Sequence, residues 1–210
     1  QGAMIEEQDL TGYDENEDRQ TYSIDKLRSD VNKLVEMLKV SERPVLIAGH
    51  GIRIAGGLSI FNKIIEKLKI PILSTFNGFD LVETENKYYI GRIGTVGDRA
   101  GNFALQNSDI VLSIGSRNNI RQISYNWETF ARKAKKVVVD IDENELNKPT
   151  IKPDLPIHAD AKVFLEEFYT QLKAHNLPDY SKWLVWSLER KRKYPVINDK
   201  YIDDNKGVDP

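Results

Sequence analysis

One stretch, residues 43–57 with the sequence RPVLIAGHGIRIAGG, constrains the fold more than any other part of the chain. It begins with a short apolar run at 45–48, which is typical of a strand buried in a parallel sheet. Gly49 and Gly51 follow and let the backbone turn sharply. A second glycine pair then opens an amphipathic segment. The stretch therefore predicts a strand, a glycine turn and a helix whose free N–H groups suit a phosphate.

Similar units follow along the chain. Further strands are predicted at 70–74, 88–91, 109–115, 136–142 and 155–158. Helices are predicted at 24–38, 57–69, 102–107, 127–134, 143–147 and 180–194, and a further helix is predicted to begin after Asp160. Ser23 is the predicted cap of the first helix, and Asp160 is the predicted cap of the helix that follows it. A glycine-bearing loop is predicted at 91–101. Strands that alternate with helices are typical of a doubly wound α/β fold, with a mainly parallel sheet and helices on both faces.

Composition narrows the classes of function. The 210 residues carry a formal net charge of -2, so we expect neither nucleic acid nor a membrane as a partner. The chain has no Cys, hence no disulfide and no thiolate metal site, which fits a cytoplasmic protein. Its three His lie far apart, without the spacing of metal ligands, so we expect no metal ion. No nucleophile motif or phosphate-loop motif is present, and no catalytic residue is predicted.

The patterning divides the chain into three parts. Residues 1–4 resemble the remnant of a cleaved purification tag, and the remainder of 1–22 is an acidic segment interpreted as a linker. Residues 23–175 hold all the predicted strands and form the predicted central Rossmann-like domain. Residues 176–210 hold one more helix and a polar tail, which we interpret as a linker toward a missing domain.

Side chains able to bind a ligand cluster just after the predicted strands. In a doubly wound sheet, ligands bind beyond the carboxyl ends of the strands. The positions at these ends are Gly49, Gly51, residues 74–77, Gly115, Arg117, Asp140 and Asp142, with Arg53 and Arg121 as weaker candidates. We therefore expect one site, in which glycine turns, a guanidinium and two acids lie together.

Each candidate also has a structural interpretation that the sequence leaves open. The dinucleotide fingerprint needs a third glycine, which is absent, so Gly49 and Gly51 are equally consistent with a tight turn without a ligand. Arg117 suits a phosphate or a salt bridge to a carboxylate. Asp140 and Asp142 suit ribose hydroxyls or the capping of a helix.

Five motifs follow one another in a specific order and spacing. They are RPVLIAGHGIRIAGG (43–57), KIPILSTFNGFD (69–80), IGRIGTVGDRAGNFALQNSDIVLSIGSR (90–117), KVVVDIDENELNK (136–148) and LPIHADAKVFL (155–165). Together, over residues 24–173, they resemble the central domain of thiamine-diphosphate-dependent enzymes of the acetolactate synthase type. The resemblance implies a Rossmann-like, DHS-type nucleotide-binding fold.

The resemblance also implies a larger parent enzyme. Enzymes of this type have three domains, and thiamine diphosphate with magnesium binds between the first and the third domain of different subunits. The motifs of those two domains are absent here, so the implied role is that of a non-catalytic domain. The implied parent is a homo-oligomeric transferase or lyase that decarboxylates a 2-oxo acid and forms a carbon–carbon bond, with this domain contacting its other domains.

The ligand of the central domain differs among such enzymes. It is FAD in acetolactate synthase and pyruvate oxidase, ADP in oxalyl-CoA decarboxylase, and absent in several decarboxylases. The positions that match the flavin-contacting pattern are Gly49, Gly51, Gly94, Gly115, Arg117, Asp140, Asp142 and Asp160. Asn-Asn-Ile-Arg at 118–121 replaces the usual Phe-Asp-Asp-Arg, and residues 97–99 look like an insertion, so FAD, ADP and no ligand all stay open.

Two other functions stay open besides the family resemblance. A free-standing nucleotide-binding domain would share its fold with NAD-dependent deacylases or electron-transfer flavoproteins. It would need a catalytic His or a flavin fingerprint, neither of which the sequence contains. An oligomerisation module would act through the apolar face of the helix predicted at 24–38.

Overall fold

The structure, a computed structural model, describes residues 11–12 and 21–197 of the chain. The tag-like residues 1–4, most of the acidic segment and the tail after residue 197 lie outside these residues. Their interpretation as linkers therefore stays a prediction, as does the division of the chain at residue 175.

Six strands in the described residues form one parallel sheet. They are β1 (Pro44–Ala48), β2 (Ile72–Ser74), β3 (Tyr89–Arg92), β4 (Ile110–Ile114), β5 (Lys135–Asp140) and β6 (Leu155–His158), in the order β3-β2-β1-β4-β5-β6. Every residue of β1 and β4 is buried, as their continuous apolar runs predict. The order reverses between these two strands, which is where doubly wound folds bind ligands.

Helices cover both faces of the sheet. They are α1 (Ile24–Val40), α2 (Gly51–Ile54), α3 (Leu58–Leu68), α4 (Arg99–Asn107), α5 (Ile120–Ile123), α6 (Glu143–Asn147), α7 (Ala161–Ala174) and α8 (Ser181–Lys193). One buried apolar cluster joins the sheet to α1, α3 and α7, and a second joins it to α4 and α8. Leu46 of β1 belongs to the first cluster and Ile47 to the second, as strand alternation requires. The predicted doubly wound α/β fold is confirmed.

Helix α1 begins at the predicted cap. The Ser23 hydroxyl accepts a hydrogen bond of 3.3 Å from the Lys26 backbone N–H. The apolar face that includes Leu27, Leu34 and Leu38 is buried inside the domain, where α1 packs on α7 and β6. The apolar face is therefore not free to contact a second copy, which removes the basis for an oligomerisation helix.

The helix predicted at 127–134 is wrong for most of its length. A short 3-10 turn spans Trp127–Thr129, and turns follow it up to β5. Ala131 adopts a positive φ of 42°, which an α-helix does not tolerate. Phe130 and Ala131 are nevertheless buried, so the apolar residues that suggested a helix pack on the sheet from a turn instead.

The loop predicted at 91–101 is shorter than expected, because α4 already begins at Arg99. Asp98 closes the loop in two ways. Its carboxylate accepts a hydrogen bond from the Arg92 N–H (2.8 Å), and its own N–H donates to the Arg92 carbonyl (3.0 Å). This pairing fixes the chain at the end of β3 and starts the helix directly afterwards.

Helix α8 packs on the second face of the sheet, against α4 and β3. The Trp183 indole N–H donates to the Pro44 carbonyl over 3.0 Å, and the Lys191 ammonium donates to the carbonyls of Thr84 and Tyr89, each over 2.8 Å. These bonds attach α8 to β1 and to β3. Within the described residues, no helix is both long enough and apolar enough to cross a membrane.

Candidate functional site

A cleft of about 760 Å³ opens at the edge of the sheet where the strands end. Its walls come from the segments that follow β1, β2, β4, β5 and β6. Neighbouring strands lie about 4.8 Å apart, so five adjacent strand ends span about 19 Å. The cleft is therefore long and crosses the point where the strand order reverses, as expected for a ligand site in this fold.

Six of the eight predicted positions line this cleft. They are Gly51, Gly115, Arg117, Asp140, Asp142 and Asp160. Gly49 and Gly94 do not line it but lie behind its walls. The single site expected from the strand ends is thus a single cleft in the structure, with two of the glycines acting as supports.

The glycines after β1 and β4 let two backbones touch beneath the cleft. The Gly51 N–H donates to the Gly115 carbonyl over 2.9 Å, and the Gly49 N–H donates to the Ile114 carbonyl over the same distance. A Cβ on Gly49 would lie 2.2 Å from the Gly115 oxygen, and Gly115 itself adopts a φ of +58°. No other residue type fits this contact, so these glycines have a structural role whether or not a ligand binds.

Gly94 supports the cleft from the outside. Its φ is +105°, and a Cβ at this position would lie 2.6 Å from the Arg121 carbonyl oxygen. The neighbouring Thr95 donates to the same carbonyl through its N–H (2.9 Å) and its hydroxyl (3.1 Å). The loop after β3 therefore fixes α5, whose residues form part of the cleft wall.

Arg117 is held by a carboxylate. Its Nε lies 2.6 Å from Glu145 Oε1, and its side chain is 77% exposed. Burial raises the pKa of the Glu145 carboxyl, but hydrogen bonds from Lys148 and Arg117 outweigh burial and keep this pKa below its ordinary value. The structure therefore shows the salt bridge that the sequence left open, and it places the guanidinium at the mouth of the cleft.

The three aspartates in the cleft differ in their surroundings. Asp142 caps α6 by accepting from the Asn144 N–H (2.9 Å), and Asp160 caps α7 by accepting from the N–H groups of Lys162 (2.8 Å) and Val163 (3.1 Å). Asp140 is buried, and burial raises the pKa of its carboxyl. In the described part of the chain, no group of three or more His, Asp or Glu is arranged to hold a metal ion.

A comparison with known protein families identifies the family of this chain. The model of the thiamine pyrophosphate enzyme central domain matches residues 31–168, which is more than half of the chain. The chain belongs to this family. The match runs from α1 to α7 and so includes every strand and every segment that lines the cleft.

Several relatives of this central domain are large enzyme subunits. The chain is 34% identical to the acetolactate synthase large subunit of Lactococcus lactis, over 86% of this chain and 30% of the relative. The chain is 32% identical to a probable acetolactate synthase large subunit of Methanocaldococcus jannaschii, over 77% of this chain and 27% of the relative. It is 31% identical to glyoxylate carboligase of Escherichia coli, over 79% of this chain and 28% of the relative. The chain thus spans less than a third of each of these relatives, and the resemblance to an acetolactate synthase central domain is confirmed.

Sequence reasoning missed a buried polar group of the central domain's cleft. Gln122 on α5 lines the cleft and is only 7% exposed. Its Oε1 accepts a hydrogen bond of 3.1 Å from the Ser116 hydroxyl, but its Nε2 is buried without a partner in the described structure. The available signal was the Asn119 cap, which starts a short helix close to the end of β4 and places Gln122 at the sheet edge.

Proposed function

We propose that this chain is the nucleotide-binding central domain of a larger thiamine-diphosphate-dependent enzyme. The parent decarboxylates a 2-oxo acid and joins the remaining fragment to a second substrate, as a transferase or lyase of the acetolactate synthase type. Membership of the central-domain family and relatives named acetolactate synthase and glyoxylate carboligase support this proposal. Thiamine diphosphate and magnesium belong to the parent's other domains, because no matching motif is present in this chain.

The cleft is the observation that carries the nucleotide-binding part. It joins six predicted positions in one space of about 760 Å³, within the usual range for a small-molecule site. Asp140 supplies a buried acid at the carboxyl end of β5, suited to ribose hydroxyls. Gln122 Nε2 and His50 Nδ1 are buried polar atoms without partners among the described residues, and a bound molecule would satisfy them. These features fit FAD or ADP.

The remaining roles follow from the parent enzyme. The domain contacts the other domains of the parent, and the full-length protein is a homo-oligomer that acts in the cytoplasm. A net charge of -2 supports a role without nucleic acid or membrane contacts. The chain itself carries no catalytic residue in this proposal.

Calorimetric titration of the 210-residue chain with FAD, and separately with ADP, tests nucleotide binding. We expect saturable binding of one nucleotide per chain. Arg117→Ala should weaken this binding about fivefold, because an exposed guanidinium contributes modestly to pairing with a phosphate. Arg132→Ala, at an exposed position outside the cleft, is the matched control and should bind as wild type does. Absence of binding of both nucleotides to the wild-type chain would contradict the proposal.

A further inference from the structure

Positive and negative charge are separated along this chain. Residues 21–197 contain 27 Lys and Arg against 21 Asp and Glu, a net charge of +6. Residues 5–20, here called the acidic segment, contain seven Asp and Glu and a single Arg, a net charge of -6. The formal net charge of -2 for the whole chain therefore conceals a basic domain that is preceded by an acidic segment.

Four cations of the domain gather at one corner of the sheet, where β5 and β6 begin. The Asp154 N–H donates to the Lys136 carbonyl over 2.8 Å, and the Lys136 N–H donates to the Asp154 carboxylate over the same distance. The stretches of chain just before these two residues therefore lie side by side. The cations on them, here called the basic corner, are Arg132, Lys133, Lys135 and Lys152.

The basic corner is not neutralised by the domain itself. All four of its residues are exposed, and none of them forms an ion pair within the described residues. The nearby carboxylate of Asp154 already accepts from the Lys136 backbone N–H. Four like charges in one place repel one another, so carboxylates bound at this corner lower the electrostatic free energy.

The cations of α1, which follow the acidic segment in sequence, differ from the basic corner because they are paired. Lys26 and Lys33 both bind the carboxylate of Asp30, over 2.5 and 2.8 Å. Arg28 lies 3.4 Å from Asp25. Acids of the preceding segment would have to displace these partners, whereas at the basic corner they displace only water and counterions.

The acidic segment is long enough to reach the basic corner. The rings of Tyr22 and His158 lie 6.0 Å apart, so the chain enters the domain beside the last residue of β6. From His158 back to Lys152, at the other end of this edge strand, is at most about 20 Å. Seven extended residues, such as those between Tyr22 and Glu15, cover about 23 Å. A segment that runs beside β6 therefore brings Asp14 and Glu15 to the basic corner.

We propose that the acidic segment runs along the outer edge of β6 and binds the basic corner of the same chain. Each exposed ion pair contributes little by itself, so several pairs act together and salt weakens all of them. The bound segment also covers an edge strand, which is otherwise open to pairing with another chain. In the proposed parent enzyme, this contact fixes the path by which the chain enters the central domain. That consequence rests on the proposed function, but the contact itself does not.

Cross-linking the 210-residue chain with a carbodiimide tests this proposal, because the reagent joins a carboxylate directly to a lysine amine that touches it. Peptide mass spectrometry then locates the links. We expect links from the acidic segment to the three lysines of the basic corner, at about five times the yield of links to Lys63, an exposed lysine on α3. Salt at about 0.5 M should remove most of them.

Three outcomes of the cross-linking would overturn the proposal. They are the absence of links to the basic corner, a higher yield of links to Lys162 at the start of α7, and links that join two copies of the chain. A mixture of isotopically labelled and unlabelled chains distinguishes links within one copy from links between copies. No nucleotide takes part, so none of these outcomes bears on nucleotide binding.

A thermal measurement adds a second test. Deleting residues 1–20 should lower the melting temperature by about 1–3 °C at low salt and leave it unchanged at about 0.5 M salt. In the double variant Lys133→Glu and Lys135→Glu, the same deletion should change it by less than about 1 °C. The matched control, Lys63→Glu and Lys67→Glu at exposed positions of α3, should respond as wild type does. Equal effects of the deletion in both double variants would contradict binding at the basic corner.

Discussion

At the edge of the sheet where the strands begin, one carboxylate gathers several donors. Asp109, just before β4, accepts from the Ser41 hydroxyl (2.5 Å) and from the backbone N–H groups of Glu42 (2.8 Å) and Arg43 (3.0 Å). At the opposite edge, the buried atoms Gln122 Nε2 and His50 Nδ1 have no partner in the described structure. Asp109 thus pairs several donors within the chain at one edge, whereas two buried side-chain atoms stay unpaired at the other.

The apolar side chains show the same contrast. Trp183 is buried and its indole N–H is bonded to the first residue of β1, Pro44. At the opposite edge, Ile54 is 78% exposed and Phe76 is 50% exposed, and both line the cleft. The amino edge therefore stabilises the fold, whereas the carboxyl edge gives up some local stability and offers surface for a ligand.

The largest expected effect concerns a buried tryptophan, compared with a partly exposed one. Trp183→Ala should lower the free energy of unfolding by about 4 kcal/mol, since it removes a large buried side chain and a buried hydrogen bond. Trp127→Ala, at a side chain that is 39% exposed on the turn after α5, should lower it by less than about 1 kcal/mol. Denaturant titration followed by circular dichroism measures both. Equal losses would contradict the role of Trp183 in stabilising the amino edge.

A smaller effect is expected for the aspartates. Asp109→Ala should lower the free energy of unfolding by about 2–3 kcal/mol, because three donors lose a shared acceptor. Asp142→Ala removes only the cap of the short helix α6 and should cost about 1 kcal/mol. Thermal unfolding of the two variants gives the ranking. A larger loss for Asp142→Ala would show that the carboxyl edge carries more of the stability than we infer.

The sequence was sufficient for the parts of the molecule that depend on local patterns. All six strands and the long helices α1, α3, α7 and α8 were predicted, because apolar periodicity and caps such as Ser23 and Asp160 fix them locally. The meeting of Gly51, Arg117 and Asp140 in one cleft was also predictable, since parallel strands end at one edge of the sheet.

The remainder depended on contacts that no local pattern contains. Gly94 supports α5 from behind instead of lining the cleft, because the position of the loop after β3 relative to α5 is set by tertiary packing. The partner of Arg117 is Glu145, 28 residues further along the chain. The unpaired amide of Gln122 is visible only once every neighbour is placed, since a sequence shows which donors exist but not which acceptors they meet.

The smallest effect is the most specific to the carboxyl edge, because its sign differs from that of ordinary aspartates. Burial raises the pKa of the Asp140 carboxyl above its ordinary value of 3.8. The folded chain therefore binds this proton more tightly than the unfolded chain. The contribution of the protonated Asp140 carboxyl to the stability of the fold is complete below pH 3.8 and is lost as the pH rises through the raised pKa. At neutral pH the charged carboxyl opposes folding.

Asp140→Asn should therefore raise the melting temperature at neutral pH by about 1–3 °C, and the gain should disappear as the pH falls toward 3.8. Asp30 on α1 is the opposite case. Burial raises the pKa of its carboxyl, but hydrogen bonds from Lys26 and Lys33 outweigh burial and lower it, so Asp30→Asn should destabilise at neutral pH. Melting curves between about pH 3 and pH 8 distinguish the two signs.

If Asp140 binds the ribose of the nucleotide, Asp140→Asn should also weaken FAD and ADP binding while it stabilises the fold. A variant that is less stable at neutral pH, with unchanged affinities, would show that the Asp140 carboxylate serves the fold rather than a ligand.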